Sequence, residues 1–204
     1  QDHKRAFDGD KGLNTGGMGA FCPSPFYTED IQKEAYDSII LPTVRAMSDM
    51  GRTFKGVLYF GLMMTDKGVY TLEYNARFGD PETQAVLPLL KTDIVDIFEA
   101  TIDGNLADID IEWSTDSAIT IVLASGGYPE KYKTGLPITI GETEGVTVYH
   151  AGTADKGGLV TNGGRVMAVT AVAKDIASAR EIAYKQIDNI AFEGMFYRKD
   201  IGII

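Results

Sequence analysis

The sequence predicts an α+β fold: an antiparallel sheet with packed helices, followed by a smaller β-rich part closed by a C-terminal helix. Three observations carry this. The runs GVLYFGLMM and VYTLEYN flank the polar TDKG, the pattern of an antiparallel hairpin. From Ser117 onward, short β-rich runs alternate with Gly/Pro turns. The chain then ends in an amphipathic stretch, IASAREIAYKQIDNI, with Asp175 placed to cap it.

Taken in order, residues 1–28 read as loop, because DGDKGLNTGGMGAFCPSP is dense in glycine and proline. A helix is expected from about Glu29, where Ile31, Ala35, Ile39 and Ile40 form one apolar face. Thr28 suits its N-cap, and Pro42 should kink or restart it. The hairpin follows, then a helical region beginning at Pro81 and Glu82. A second helix fits DIVDIFEATIDG, with Thr92 as N-cap and Gly104 past its end. The β-rich runs are SAITIVLA, PITI, VTVYHAG, GLVTN and RVMAVTAVA. The change of character near Asn105 predicts two domains, 1–108 and 109–204.

The totals exclude several function classes. A chain of 204 residues, 44% hydrophobic and 24% charged, has the composition of a folded domain with a sizeable core. A net charge of −10 argues against nucleic acid or an anionic membrane as main partner, since both select Lys/Arg-rich surfaces. It leaves room for a small phosphorylated ligand. One cysteine, Cys22, rules out an intrachain disulfide and disfavours a thiolate zinc site. His3 and His150 have no recognisable Ser or Cys partner, so nucleophilic triads find no support. Met18, Met47, Met63 and Met64 read as core. No apolar run reaches the roughly 18 residues of a membrane span and no secretory signal opens the chain, so a cytoplasmic location is expected.

Three stretches could carry chemistry. In YTLEYNARFGDPE, strand alternation would put Glu73, Asn75 and Arg77 on one face, with successive Cα atoms roughly 6.5–7 Å apart. A carboxylate and an amide oxygen so placed can converge on Mg²⁺, which keeps several waters and takes phosphate oxygens as further ligands. Arg77 could then bridge phosphate oxygens with its planar fork. The alternative is an exposed face whose polar groups pair with one another. In GLNTGGMGAF, glycine amides could cradle an anion, with Asn14 and Thr15 as added donors; an ordinary turn is the alternative. In TNGGRV, Asn-Gly-Gly reads as a tight hairpin turn with Arg165 a surface residue.

Together QDHKRAFDGDKGLNTGGMGAF, LEYNARFGDPETQ, AGT…TNGGRV and the tail FYRKDIG closely resemble the phosphoribosylamine–glycine ligase (glycinamide ribonucleotide synthetase) family of the ATP-grasp superfamily. The resemblance runs over nearly the whole chain and corresponds to the family's C-terminal portion. It implies an ATP-grasp lobe followed by a small β-rich domain. The implied reaction is ATP-dependent ligation of glycine to 5-phosphoribosylamine through glycyl phosphate, with Mg²⁺ or Mn²⁺ as metal. Glu73 and Asn75 match the family's metal ligands, and Arg77 and Asp80 its catalytic positions. Asp2, Lys4, Asn14, Thr15, Gly16, Gly17 and Gly19 match substrate-side loops, Arg165 a contact to the ribose phosphate, and Met63 a contact to adenine. Many superfamily members carry another carboxylate twelve residues before the metal-binding Glu; here that position is Gly61. The family has further domains upstream, so this chain alone is expected to be inactive. Small-molecule substrates and a monomer are expected. Competing readings are another ATP-grasp carboxylate–amine ligase or carboxylase, and a non-catalytic sugar-phosphate-binding module.

Overall fold

The computed structural model describes residues 1–203. Three short strands open the chain: β1 (Arg5–Phe7), β2 (Lys11–Asn14) and β3 (Gly19–Cys22). Helix α1 (Glu29–Ala35) passes through a π-helical segment, Tyr36–Ile40, into α2 (Leu41–Asp49). The hairpin β4 (Tyr59–Thr65) and β5 (Gly68–Asn75) follows, then α3 (Thr83–Val86), a 3₁₀ turn at Leu87–Leu89, and α4 (Ile94–Asp103). The remainder comprises β6 (Ser117–Ala124), β7 (Thr139–Ile140), β8 (Val146–His150), β9 (Thr153–Asp155), β10 (Leu159–Thr161), β11 (Arg165–Ala173), α5 (Ile176–Ile187) and β12 (Ile190–Ala191).

These elements form two compact units. One contains Gln1–Pro23, Asp80–Leu90 and the chain from Trp113 onward; the other contains Ser24–Gly79 and Lys91–Glu112. The packing therefore crosses the division at residue 108 that the change of character in the sequence suggests. The cause is β6. The first unit is built on a four-stranded antiparallel sheet in the order β3-β6-β11-β8, so the early segment expected to be loop supplies an edge strand. All eight residues of β6 are buried. On one face Ile119, Ile121 and Leu123 join Val169, Ala179, Ala183 and Ile187, the last three presented by α5. On the other, Ala118 packs with Ala20, Ala85 and Leu89, so α3 and the following 3₁₀ turn cover that side. A strand covered on both faces cannot alternate apolar with polar, and SAITIVLA does not. Its Thr120 lies opposite Thr170, and Thr170 Oγ1 donates to Thr120 Oγ1 at 2.8 Å, so neither buried hydroxyl is left without a partner.

In the second unit β4 and β5 form the expected hairpin, with a bulge that leaves Leu72 as an extra residue between the Leu62–Thr71 and Gly61–Glu73 pairs. Thr28 caps α1 as expected, its Oγ1 accepting from Ile31 N. Pro42 does not break the helix; it falls in the first turn of α2, after the π-helical widening, where a missing N–H costs least. The N-cap of α4 is Asp93, whose Oδ1 accepts from Val95 N, one residue beyond the expected Thr92. The Thr92 hydroxyl instead donates to Asp110 O and accepts from Glu112 N. Gly104 ends α4 at φ +82°, and Asp175 caps α5, both as expected. Met63 and Met64, expected in the core, are exposed on the hairpin.

Truncating the centre of the sheet should be costly. Ile121→Ala is expected to destabilise the fold by about 2–5 kcal/mol, read as a lower urea midpoint with an unchanged slope.

Candidate active site

The predicted residues fall into two groups, one in each compact unit. In the second unit, Glu73 and Asn75 follow the bulge on β5 and pair regularly with Gly61 and Tyr59, so both point to one side of the hairpin. Arg77 lies beyond the end of the strand, contrary to a simple three-residue alternation. Its guanidinium reaches back: Nη2 donates to Asn75 Oδ1 at 3.2 Å and Nη1 to Phe78 O at 2.8 Å. Of the two readings of this face, mutual polar pairing thus accounts for Asn75 and Arg77, while Glu73 stays exposed. A Cβ on Gly61 would come within 2.8 Å of Glu73 Cγ, so the glycine makes room for the Glu73 side chain to lie across β4. Met63 sits two residues along β4, 48% exposed.

This donor set fits a divalent cation of the Mg²⁺ type. It offers one carboxylate and one amide oxygen, both hard, two residues apart on an accessible face. Among the described residues no group of three or more His, Cys, Asp or Glu is gathered that could hold a metal unaided. Such a cation would therefore draw its other ligands from water and substrate.

In the first unit Arg165 is the hub. Its Nη1 donates to Gly16 O at 3.0 Å and Asp80 O at 2.8 Å, and its Nη2 to Asp80 Oδ2 at 2.9 Å. Asp80 Oδ1 accepts from Gln84 Nε2 at 3.0 Å, an i,i+4 pair that spans the start of α3. Arg165 is far from the incidental surface residue that a tight turn would make it. The reason is topological: β10 pairs with β9, and β11 with β6 and β8, so Asn162-Gly163-Gly164 links two sheets and turns Arg165 inward. Gly164 is needed there, because a Cβ would strike the Tyr128 ring.

The 12–21 loop lies against this hub, but its amides are already engaged. Gly16 N donates to Tyr128 Oη at 3.0 Å, Gly17 N to Thr15 Oγ1 at 2.9 Å, and Met18 N to His3 O at 2.9 Å. The amides of Gly16, Gly17 and Met18 thus have partners within the protein, and Gly16 and Gly17 also serve close approach. A Cβ on Gly16 would meet Arg165 Cζ at 2.8 Å, and one on Gly17, where φ is +120°, would meet Pro81 and Asp2 Oδ1. Thr15 braces the loop through Lys4 O, Asn14 is exposed in β2 opposite Arg5, and Gly19 lies in β3 against Thr120 O.

Asp2 and Lys4 form the next layer. Lys4 Nζ stands 2.5 Å from Asp2 Oδ2 and 3.8 Å from Glu82 Oε1. Asp2 Oδ1, buried, has no well-formed hydrogen bond. Burial, with the Glu82 charge beside it, pushes the Asp2 carboxyl up to about 6 against the pull of Lys4. Next to it, burial and the charge of Arg198 bring His3 down to about 4, so His3 is neutral at pH 7.

Sequence reasoning missed Glu82, Gln84, Tyr128 and Arg198. The spacing D-P-E-T-Q carried a signal for Gln84, since four residues across a helix start bring Asp80 and Gln84 together. Nothing local marks Tyr128, whose role depends on a contact 112 residues away in sequence.

The fold is of the ATP-grasp class. The biotin carboxylase domain of a Hydrogenobacter thermophilus 2-oxoglutarate carboxylase shares the fold at 17% identity and a TM-score of 0.62, over 89% of this chain and 40% of that one. Within that class, residues 1–83 match the model of the phosphoribosylglycinamide synthetase ATP-grasp (A) domain, and residues 118–203 that of the same synthetase's C domain. The chain belongs to the phosphoribosylglycinamide synthetase family. It is similar to the phosphoribosylamine–glycine ligase of Caldanaerobacter subterraneus subsp. tengcongensis, 48% identical over 203 residues, which are 98% of this chain and 49% of that protein. The crystal structure of the Thermotoga maritima phosphoribosylamine–glycine ligase superposes with a TM-score of 0.85 at 38% identity, covering 98% of this chain and 50% of that one. The chain spans about half the length of the curated relatives it matches.

The opposed titrations of His3 and Asp2 give a test. Between about 4 and 6.5 the unfolded chain binds a proton at His3 that the native state refuses, so acid weakens the fold. Between 3.8 and about 6 the native state binds one at Asp2 that the unfolded chain releases, so acid strengthens it. His3→Gln should leave only the second effect. Relative to wild type, its urea midpoint is expected to rise as pH falls from 6.5 to 4.5.

Proposed function

We propose that this chain is part of a cytoplasmic phosphoribosylamine–glycine ligase. It would join glycine to 5-phosphoribosylamine at the expense of ATP, giving glycinamide ribonucleotide, ADP and phosphate. The observation that carries the reading is the Arg165–Asp80–Gly16 network, which ties together residues from three of the four sequence motifs. In this reading the division near residue 108 separates the ATP-grasp part from the C domain.

Both reacting nucleophiles would belong to substrates: the glycine carboxylate attacks the γ-phosphorus, and the sugar amine attacks the resulting acyl phosphate. The protein's task is then positioning and charge neutralisation. Glu73 and Asn75 would hold Mg²⁺ or Mn²⁺, which supplies charge compensation at phosphoryl oxygens. Arg77, which already donates from both terminal nitrogens, would redirect that fork to the transferring phosphoryl group. Asp80 would hold an ammonium or amine through its carboxylate, which the Arg165 contact aims. Arg165 would meet the ribose phosphate; Met63 would pack on adenine. Asp2, Lys4, Asn14, Thr15, Gly16, Gly17 and Gly19 would shape the substrate-side wall. Among the described residues no helix is long and apolar enough to cross a membrane.

Two measurements test this. In the complete ligase containing this chain, Glu73→Ala is expected to lower kcat/KM by about 10²–10³ or more, in line with losing an electrostatic stabiliser. Retained ligation would take Glu73 out of the metal site, and a complete protein that binds the sugar phosphate without ligating would favour a non-catalytic binding module. ADP release stimulated by bicarbonate rather than glycine would favour a carboxylase. The 204-residue chain alone is expected to form no product and to bind ATP weakly; sensitive detection of glycinamide ribonucleotide from the purified chain would contradict that.

A further inference from the structure

The motifs FDGDKG and FYRKDIG take no part in the chemistry above, yet the structure joins them. Arg198 is 2% exposed, one of the largest fully buried side chains. Its Nε and Nη2 grip the two oxygens of Asp200 at 2.7 Å each, and its Nη1 donates to Asp10 Oδ1 at 2.8 Å and Arg5 O at 3.2 Å. The contact is reciprocated by backbone: Gly9 N donates to Asp200 Oδ2 at 2.8 Å, and Lys199 N to Asp8 Oδ1 at 2.7 Å. The Asp8-Gly9-Asp10 turn is thus held at all three residues by Arg198, Lys199 and Asp200.

The turn needs holding. Asp10 has φ +53°, the one non-glycine positive φ among the described residues, and Gly9 beside it has φ +68°. An L-residue in that region is strained, and it persists where its surroundings fix it. The strands it joins are weak: β1 and β2 form an isolated two-stranded ribbon of three and four residues, with Ala6 its one buried side chain. Such a ribbon is at best marginal in water without outside support. Beyond Ala6, Phe7 adds a half-exposed contact to Phe196.

We infer that Arg198 is a positioning residue: with Asp200 it clasps the Asp8–Asp10 turn and so sets the β1–β2 ribbon whose base carries Asp2, Lys4 and Thr15–Gly17. The base transmits the setting, because Thr15 N and Oγ1 both donate to Lys4 O and Gly16 O accepts from Arg165. A bidentate fork fixes direction as well as distance, which a buried apolar residue of equal volume could not do. The placement stands on geometry alone; its kinetic consequence rests on the ligase reading.

Hydrogen exchange by mass spectrometry on this chain tests the placement. Arg198→Lys is expected to speed exchange across residues 5–16 by about tenfold while β6 and β11 amides keep their protection. Asp10→Asn, which leaves the Arg198–Asp200 pair intact, should give a smaller increase over the same residues and serves where the Arg198 variant fails to fold. Unchanged exchange in the ribbon, or an equal increase throughout β6 and β11, would overturn the clasp. In the complete ligase, Arg198→Lys should raise KM for glycine or phosphoribosylamine several-fold, with KM for ATP unchanged. Faster ribbon exchange with all KM values unchanged would keep the clasp and overturn the ribbon's place at a substrate subsite.

Discussion

The first compact unit depends on burying one strand from both sides. Because β6 is covered by α5 on one face and by α3 with its following turn on the other, it needs neighbours drawn from distant parts of the chain. It pairs with β3 on one edge and β11 on the other. Those three demands bring the start of the chain, the Asp80–Leu90 segment and the C-terminal region into one body. Arg165 can meet Asp80 and Gly16, from positions 85 and 149 residues away, because hydrophobic burial around β6 has already placed their backbones.

The polar network on that scaffold is dense. Arg165, Asp80 and Gln84 form one chain of hydrogen bonds, and Lys4 with Asp2 and Glu82 forms a compact charge cluster. Glycines allow the two to lie within contact distance, since Gly16 faces the guanidinium and Gly17 covers Asp2 Oδ1. A glycine-rich run can thus reflect crowding by neighbouring side chains as well as approach to a ligand, and here the amides are spent inside the protein.

Where local rules decide, the sequence was a good guide. The caps at Thr28 and Asp175, the left-handed Gly104 and the TDKG hairpin follow from short-range hydrogen bonding and backbone sterics. Where long-range pairing decides, it was not. Nothing within GAFC says that it will be an edge strand, because its pairing with β6 is fixed by residues nearly a hundred positions away. The same holds for Arg165: Asn-Gly-Gly carries the local signature of a hairpin, and only the partners of β10 and β11 show that it connects separate sheets. The bulge at Leu72 interrupts the simple alternation of β5, yet Glu73 and Asn75 lie past it and share a side, while Arg77 recovers its place through a hydrogen bond rather than by strand geometry.

The glycine opposite Glu73 has a further consequence. With no carboxylate on β4 to share the load, the hairpin offers a free divalent ion one negative charge and one neutral oxygen, too little to strip away tightly held water. In the proposed ligase, an ion at this place would be a passenger of the nucleotide, arriving on its phosphates and leaving with them. Discrimination between similar ions would then be set in solution, by which complex the nucleotide forms there, more than by the protein that receives it.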